Sequence, residues 1–253
     1  MVKIAVCLYG QPRHYSEGCK NIKKFVENQD VDFYYHTWIL NSNESYYTHS
    51  EYRNINQEEL KGDKDIITKL NLLYNPKAYV FEESKSNYFD IKAKDEVVNS
   101  LAYSRTNGHK EVFRISNTLS QLYSRQQVRN LLYHTIETEK IEYDCVIMIR
   151  FDFLKPINVT INLNKQLIYV SNIHYPRKIF ADAIFLLSVE NFFKMFNIYD
   201  NLHNIINNKA LDTLVSSYNE VMCISPENLI FANYLYYFND LKNVNYVNFP
   251  NFY

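Results

Sequence analysis

The chain has 253 residues, with 27 Lys and Arg against 28 Asp and Glu, and therefore a formal net charge of −1. A protein that binds nucleic acid by broad neutralisation of phosphates needs a basic surplus, so this balance argues against that class. Hydrophobic residues make up 47% and charged residues 22%, and these values argue against a disordered chain. The length of 253 residues predicts one globular domain rather than two.

Short motifs and residue counts exclude several further classes. No apolar run reaches the roughly 20 residues that a membrane-spanning helix requires. The opening MVKIAVCLYG has too short an apolar stretch for a secretory signal peptide, so we expect a soluble cytoplasmic protein. Four isolated glycines cannot form the Gly-rich dinucleotide fingerprint or the P-loop. The four cysteines lack zinc-binding spacing, and Cys7 and Cys145 lie in apolar runs that predict buried thiols.

Short apolar runs that alternate with helical stretches predict the secondary structure. The predicted strands, in chain order, cover 3–9, 31–38, 78–83, 145–151, 166–170 and 183–187, with an edge strand at 245–249. The run CVIMIRF at 145–151 is apolar at consecutive positions, which is typical of a central parallel strand that is buried on both faces.

Helical periodicity and start signals predict the intervening elements. The predicted helices cover about 16–28, 58–73, 116–140, 190–218 and 226–241. Ser188 and Ser225 each precede an acidic residue or Pro and predict helix starts. Strands that alternate with helices predict an α/β fold, with a mostly parallel central sheet and helices on both faces. Ligands of such sheets bind beyond the carboxyl ends of the strands.

The loop after the first predicted strand reads Gly10-Gln11-Pro12-Arg13. Gly10 lets the backbone turn sharply and approach a ligand, while Arg13 offers a planar fork of donors that suits phosphate. The alternative is a tight turn that carries a solvated arginine.

Asp152 directly follows the predicted central strand. Its carboxylate is expected at the carboxyl edge of the sheet, where it can hold Mg²⁺ or Mn²⁺ beside a diphosphate. The alternative is an aspartate that ends the strand and caps the next turn. Asp144 cannot share the metal, because a strand of about 3.3 Å per residue separates the two carboxylates.

Two further acids precede or begin predicted elements. Asp182 stands immediately before the run at 183–187 and is either a site residue or the turn that initiates a strand. Glu227 follows Pro226 at a helix start, where the helix dipole is expected to lower its pKa and keep it ionised. Glu227 is either a general base that deprotonates a hydroxyl or a helix-capping residue.

The order and spacing of these motifs resemble a group of small glycosyltransferases with the GT-A fold, which bacterial polysaccharide clusters and giant viruses encode. The resemblance spans nearly the whole chain, and its motifs are KIAVCLYGQPR, DVDFYYHTW, the long helix with Ser and Gln, EYDCVIMIRFDFLKP, ADAIFLLSVENFFKMFNIYDNL and SPENLIFANYL. It implies a single domain over 1–253, with a nucleotide-binding part at about 1–150 and an acceptor-binding part at about 151–253. The implied activity moves a sugar from a nucleotide-sugar donor to a hydroxyl of a glycan or other acceptor, with metal assistance and inversion.

The resemblance also implies roles for individual residues. The residues implied to bind the nucleotide sugar are Gly10, Gln11, Arg13, Ser120, Gln121, Arg125, Arg150 and Asp152. Asp152 stands for the last acid of the D-x-D motif, which bridges Mn²⁺ or Mg²⁺ to the diphosphate. Arg150 stands where that motif has its first acid, so the cation binds weakly or a basic side chain (Arg150, Arg177 or Lys178) replaces it. Asp182 is implied to face the sugar or acceptor, and Glu227 matches the base of inverting members.

Two alternatives remain open at this level. The departure at Arg150 is compatible with a non-catalytic module that binds a nucleotide sugar or glycan. A nucleotidyltransferase is a third candidate, although its usual Gly-rich opening loop is missing.

The oligomeric state is also open, a homodimer included, because 23 Tyr and 16 Phe must lie partly on the surface.

Overall fold

The computed structural model describes residues 2–40, 45–47, 59–106, 112–157, 168–172, 174 and 176–249. The strands are β1 Lys3–Gly10, β2 Asp30–Ile39, β3 Ser45–Tyr47, β4 Glu59–Lys61, β5 Ala78–Glu83, β6 Cys145–Arg150, β7 Ile168–Ser171, β8 Ile184–Leu187 and β9 Val244–Val247. The helices are α1 Tyr15–Phe25, α2 Ile66–Tyr74, α3 Ser86–Lys92 with a π-helical continuation Ala93–Val97, α4 Leu101–Ser104, α5 Val112–Glu139, α6 Val189–Met195, α7 Leu202–Ile206, α8 Lys209–Ser217 and α9 Pro226–Phe238.

Seven of these strands form one sheet in the order β5-β2-β1-β6-β8-β7-β9, while β3 and β4 form a separate antiparallel pair. Strand β8 runs antiparallel to both of its neighbours, and the other pairings in the sheet are parallel. The predicted α/β class with a mostly parallel sheet is therefore confirmed.

The two faces of β1 enter two different hydrophobic clusters. Ile4 and Leu8 point to the face that α1 and α2 cover, whereas Ala5 and Cys7 point to the face of α5 and α9. This alternation is the period of a strand that is buried on both sides. The predicted coverage of both faces by helices is confirmed, and the Cys7 and Cys145 thiols are buried and free.

Two predicted helices differ from the observed ones. The helix predicted over 58–73 begins at Ile66, because Glu59–Lys61 pairs as a strand with Ser45–Tyr47. The helix predicted over 190–218 is divided into α6, α7 and α8. Asn208 accounts for one division, because its side chain accepts a hydrogen bond from the amide of Leu211 and so begins a new helix.

Two serines begin helices as the sequence predicts. Ser188 accepts from the amide of Asn191, and Ser225 accepts from the amide of Asn228, so both serines are N-caps. Residues 86–97 and 101–104 form helices that the sequence analysis does not predict. Within the described ranges, no helix combines the length and the apolar character needed to cross a bilayer.

Three segments meet at one edge of the sheet. Strands β1 and β6 are parallel and in register at Tyr9 and Arg150, so both end at this edge. Strand β8 is antiparallel to β6, with Ile184 opposite Ile149, and therefore begins at the same edge. The reversed strand thus brings the residues before Ile184 beside the residues that follow β1 and β6.

Helix α1 packs closely on the segment that follows β6. A Cβ atom on Gly18 would lie 1.8 Å from the carbonyl oxygen of Phe151, so only glycine allows this approach. The Asn21 side chain donates a hydrogen bond of 3.0 Å to the carbonyl of Phe153. These two contacts fix the backbone on either side of Asp152.

Substitution of Gly18 tests this packing. We expect Gly18→Ala to lower the free energy of unfolding by about 1–3 kcal/mol, because the added methyl group forces α1 away from Phe151. Urea unfolding measures the change. The control is Glu17→Ala at an exposed position on the same helix, with an expected change within about 0.5 kcal/mol. Equal effects of the two substitutions would contradict the close approach.

Candidate functional site

An ion pair with two arginines holds Asp152 at the carboxyl edge. Arg150 Nε donates to Oδ1 of Asp152 at 2.8 Å and Nη2 donates to Oδ2 at 2.7 Å, which is a bidentate contact. Arg13 Nη2 lies 3.4 Å from the same Oδ2. Burial opposes ionisation of Asp152, but the charges of Arg150 and Arg13 hold the pKa of its carboxyl below the ordinary value.

Asp182 continues the same chain of charges. Its Oδ2 lies 3.8 Å from Nη1 of Arg150 and 3.7 Å from Nη2 of Arg125. Arg150 therefore contacts both aspartates, one after β6 and one before β8. The order of the charges along the edge is Arg13, Asp152, Arg150 and Asp182, and Arg125 approaches Asp182 from below.

Arg125 lies beneath this edge rather than on it. Its side chain is fully buried, and Nη2 donates to the Tyr9 hydroxyl at 2.7 Å and to the Asp182 carbonyl at 2.8 Å. The guanidinium also stacks 4.3 Å from the centre of the Tyr9 ring, and the Tyr9 hydroxyl donates to the same carbonyl. These contacts hold the turn that carries Asp182.

Glu227 in the first turn of α9 has an environment that differs from the expectation. Burial raises the pKa of Glu227 to about 7, and the negative charge of Asp182 adds to the effect. The expectation that the helix dipole lowers this pKa is wrong, because desolvation and the neighbouring acid outweigh the dipole. Glu227 can therefore exchange a proton near neutral pH.

The loop after β1 has the turn that its sequence predicts. Gly10 has φ of 91°, and no atom lies within 4 Å of a Cβ placed on it, so conformation rather than space requires glycine. The amide of Arg13 donates to the carbonyl of Gln11 at 2.9 Å, which closes a tight turn. Gln11 is partly exposed beside it.

A buried network that sequence reasoning missed holds Gly10. Ser124 Oγ accepts from the Gly10 amide at 2.8 Å and lies 2.8 Å from Nδ1 of His36. His36 Nε2 lies 3.1 Å from Oε1 of Glu82, and Thr37 donates to the Gly10 carbonyl at 2.9 Å. Both ends of the Gly10 residue are thereby fixed. Periodicity shows which side of α5 carries Ser124 but cannot show which loop it meets.

The protonation of His36 follows from this network. Burial lowers the pKa of His36 to about 4, in spite of the nearby Glu82 carboxylate, so the imidazole is neutral. The Glu82 carboxylate only accepts hydrogen bonds, so we assign the N–H of the neutral ring to Nε2, and Nδ1 then accepts from the Ser124 hydroxyl. Ser124 and His36 are fully buried, so this arrangement supports the loop and is not a nucleophile with its base.

The other predicted residues on α5 lie near the network without joining it. Ser120 and Gln121 are partly buried, and neither side chain makes a hydrogen bond with the described residues. Oε1 of Gln121 is buried and has no hydrogen-bond partner among the described residues. Arg177 pairs with Glu220 at 3.1 Å.

The residues around Asp152 do not fit the Mn²⁺ or Mg²⁺ ion that the resemblance implies. Both oxygens of the carboxylate already accept from the Arg150 guanidinium, and a divalent cation would have to displace it beside the two positive charges of Arg150 and Arg13. Asp144 lies at the opposite edge, where it accepts from the amide of Lys3. Across the described ranges, no cluster of three or more His, Cys, Asp or Glu side chains could hold a metal ion.

Comparison with known proteins gives a likeness at the level of the fold. No family model and no curated protein sequence matches this chain. Mouse xyloside xylosyltransferase 1, in its apo form, has a TM-score of 0.43 and 8% identity over 98% of this chain and 85% of that chain. The galactosyltransferase LgtC, in complex with donor and acceptor sugar analogues, has a TM-score of 0.39 and 9% identity over 92% and 70%. The apo form of the glycosyltransferase GlyE of Streptococcus pneumoniae TIGR4 has a TM-score of 0.37 and 9% identity over 96% and 45%.

These three proteins are glycosyltransferases by name, which is the class that the sequence motifs resemble. Identities of 8–9% restrict the likeness to the course of the chain.

The buried network makes a prediction about stability. We expect Ser124→Ala to lower the free energy of unfolding by about 1–3 kcal/mol, because it leaves the Gly10 amide and His36 without their shared partner. Ser120→Ala on the same helix is the control and is expected to change it by less than about 0.5 kcal/mol. Urea unfolding compares the two, and a smaller effect at Ser124 would contradict the network.

The raised pKa of Glu227 makes a prediction about pH. The folded protein holds this proton more tightly than the unfolded chain, so the contribution of Glu227 to stability falls as pH rises from about 4.5 to about 7. Each unit of pKa difference corresponds to about 1.4 kcal/mol. Glu227→Gln lacks this titration, so its stability relative to the original protein is expected to increase over that interval. Urea unfolding at several pH values measures the difference, and a constant difference would contradict the raised pKa.

Proposed function

We propose that the protein is a glycosyltransferase that moves a sugar from a nucleotide-sugar donor to a hydroxyl of a glycan or other acceptor, with inversion. The observation that carries this proposal is the continuous set of charges at one sheet edge, with Glu227 close enough to Asp182 for their charges to interact. Guanidinium groups suit a diphosphate, and an acid that titrates near neutral pH suits the deprotonation of a hydroxyl.

The first 150 residues are proposed to bind the donor. The loop Gly10–Arg13 offers backbone and guanidinium groups at the end of β1, where ligands of parallel sheets bind. Ser120 and Gln121 are proposed to contact the donor from α5. Arg125 is buried, so its proposed role is to position Asp182 rather than to touch the donor.

Residues 151–253 are proposed to supply the acceptor side. The acceptor oxygen attacks the anomeric carbon while the bond from that carbon to the diphosphate oxygen breaks. The bonding pair leaves with the diphosphate, and the hydroxyl proton passes to the carboxylate of Glu227. Attack in line with the leaving group inverts the anomeric centre, and Asp182 orients the sugar or the acceptor.

Incubation of the purified protein with a panel of nucleotide sugars tests the proposal. We expect slow release of nucleoside diphosphate without acceptor, and a kcat that rises with pH through about 7 as Glu227 ionises. Glu227→Gln is expected to lower kcat by about 10²–10⁴-fold, because the base is lost, while donor binding persists. Glu190→Gln, at an exposed pair with Lys194, is the matched control and should keep full activity.

Two outcomes would contradict this proposal. Absence of binding or thermal stabilisation with every nucleotide sugar and nucleoside diphosphate would exclude a glycosyltransferase. Donor binding without turnover on any acceptor, unchanged by Glu227→Gln, would instead support the non-catalytic binding module.

A further inference from the structure

We infer that the guanidinium groups of Arg13 and Arg150 bind the diphosphate of the donor in place of a metal ion, and that Asp152 is the anion that positions them. This inference rests on the proposed function for the identity of the ligand as a nucleotide sugar. Its geometric basis, a carboxylate held by two guanidinium groups at neighbouring strand ends, is independent of the reaction.

The contacts of Asp152 show why it is a support and not a metal ligand. Arg150 occupies one position on each carboxylate oxygen, and Arg13 approaches Oδ2 as well. A carboxylate has about four lone-pair positions, and two of them accept from Arg150. An inner-sphere cation would need one of these oxygens and would break the bidentate contact.

The local charges, like the contacts of Asp152, favour an anion over a divalent cation. The ion pairs around Asp152 and Asp182 join three guanidinium groups, those of Arg13, Arg150 and Arg125, to these two carboxylates, and guanidinium groups stay protonated at any physiological pH. The excess is positive, so a divalent cation would meet repulsion here and an anion would meet attraction. Asp182 lies on the far side of Arg150, 3.8 Å away, and so also helps to orient that guanidinium.

Guanidinium groups have the chemistry that a diphosphate requires. They are planar, weakly hydrated and able to donate two parallel hydrogen bonds to phosphate oxygens. The side chains of Arg13 and Arg150 retain 10% and 14% exposure, so the edge is in contact with solvent. Arg177 is mostly exposed and pairs with Glu220.

The first experiment measures binding of inorganic pyrophosphate to the full chain by calorimetry. We expect binding in EDTA, since no metal takes part. Binding that appears only with Mn²⁺, or no binding in either condition, would overturn the inference.

Substitution of the arginines locates the site. Arg13→Ala and Arg150→Ala are each expected to weaken pyrophosphate binding at least about tenfold, because each removes a charge-assisted contact. Arg105→Ala removes an arginine that pairs with Asp212 elsewhere and should leave binding unchanged. Circular dichroism melting confirms that each variant is folded. If a variant does not fold, the comparison of pyrophosphate binding by the unsubstituted protein in EDTA and in Mn²⁺ decides whether binding needs a metal.

Two further variants separate the positioning role of Asp152 from simple electrostatics. Removal of a negative charge should strengthen anion binding by Coulomb's law alone, whereas Asp152→Asn is expected to weaken it in EDTA because the arginines lose their support. Tighter binding would overturn the positioning role.

Arg150→Asp is expected to abolish metal-free binding and to make any remaining binding dependent on Mn²⁺. Metal-free binding that survives Arg150→Asp would overturn the assignment of Arg150.

The results distinguish this inference from the proposed function. Metal-free, arginine-dependent pyrophosphate binding without any sugar transfer would leave the anion site standing and contradict the glycosyltransferase. Sugar transfer that stops in EDTA and resumes with Mn²⁺ would support the glycosyltransferase and overturn the guanidinium site.

Discussion

A carboxylate buried between two guanidinium groups is the interaction on which the edge of the sheet depends. Burial of Asp152 without partners would carry a desolvation penalty of several kcal/mol, by analogy with other buried ions. Arg150 and Arg13 compensate this penalty with a bidentate contact and a second positive charge. Loss of either arginine leaves a charge poorly compensated, so the two loops that carry these residues are coupled through Asp152.

Packing beneath the charges keeps this interaction in place. Gly18 admits the backbone of Phe151, so that α1 rests directly on the segment that carries Asp152. On the other face, Ser124 and His36 hold the Gly10 peptide that leads to Arg13. Both loops are therefore fixed by contacts from rigid elements, which is the condition for a site that binds a charged ligand without large rearrangement.

Local signals explain which elements were predictable. Strand 78–83 matches the predicted bounds, and the consecutive apolar run at 145–151 marks a strand inside the sheet, because such signals depend on neighbouring residues only. The helix predicted over 190–218 is divided into three, and one division arises because the Asn208 side chain starts a new helix within an apolar periodicity that continues past it. The strand Glu59–Lys61 was missed, because its partner Ser45–Tyr47 lies more than ten residues away.

The sequence by itself determined the order of the elements and the turn at Gly10, because periodicity, capping and glycine conformation are properties of adjacent residues. It also placed four charged residues next to element ends, namely Arg13, Asp152, Asp182 and Glu227. Only the tertiary structure decided the ion pairs, the burial and the pKa values of these residues. It paired Asp152 with Arg13 and Arg150, buried Arg125, and raised the pKa of Glu227 where the helix dipole alone would lower it. Coulomb energy and desolvation depend on distance and burial in space, and strands that are remote in sequence set both.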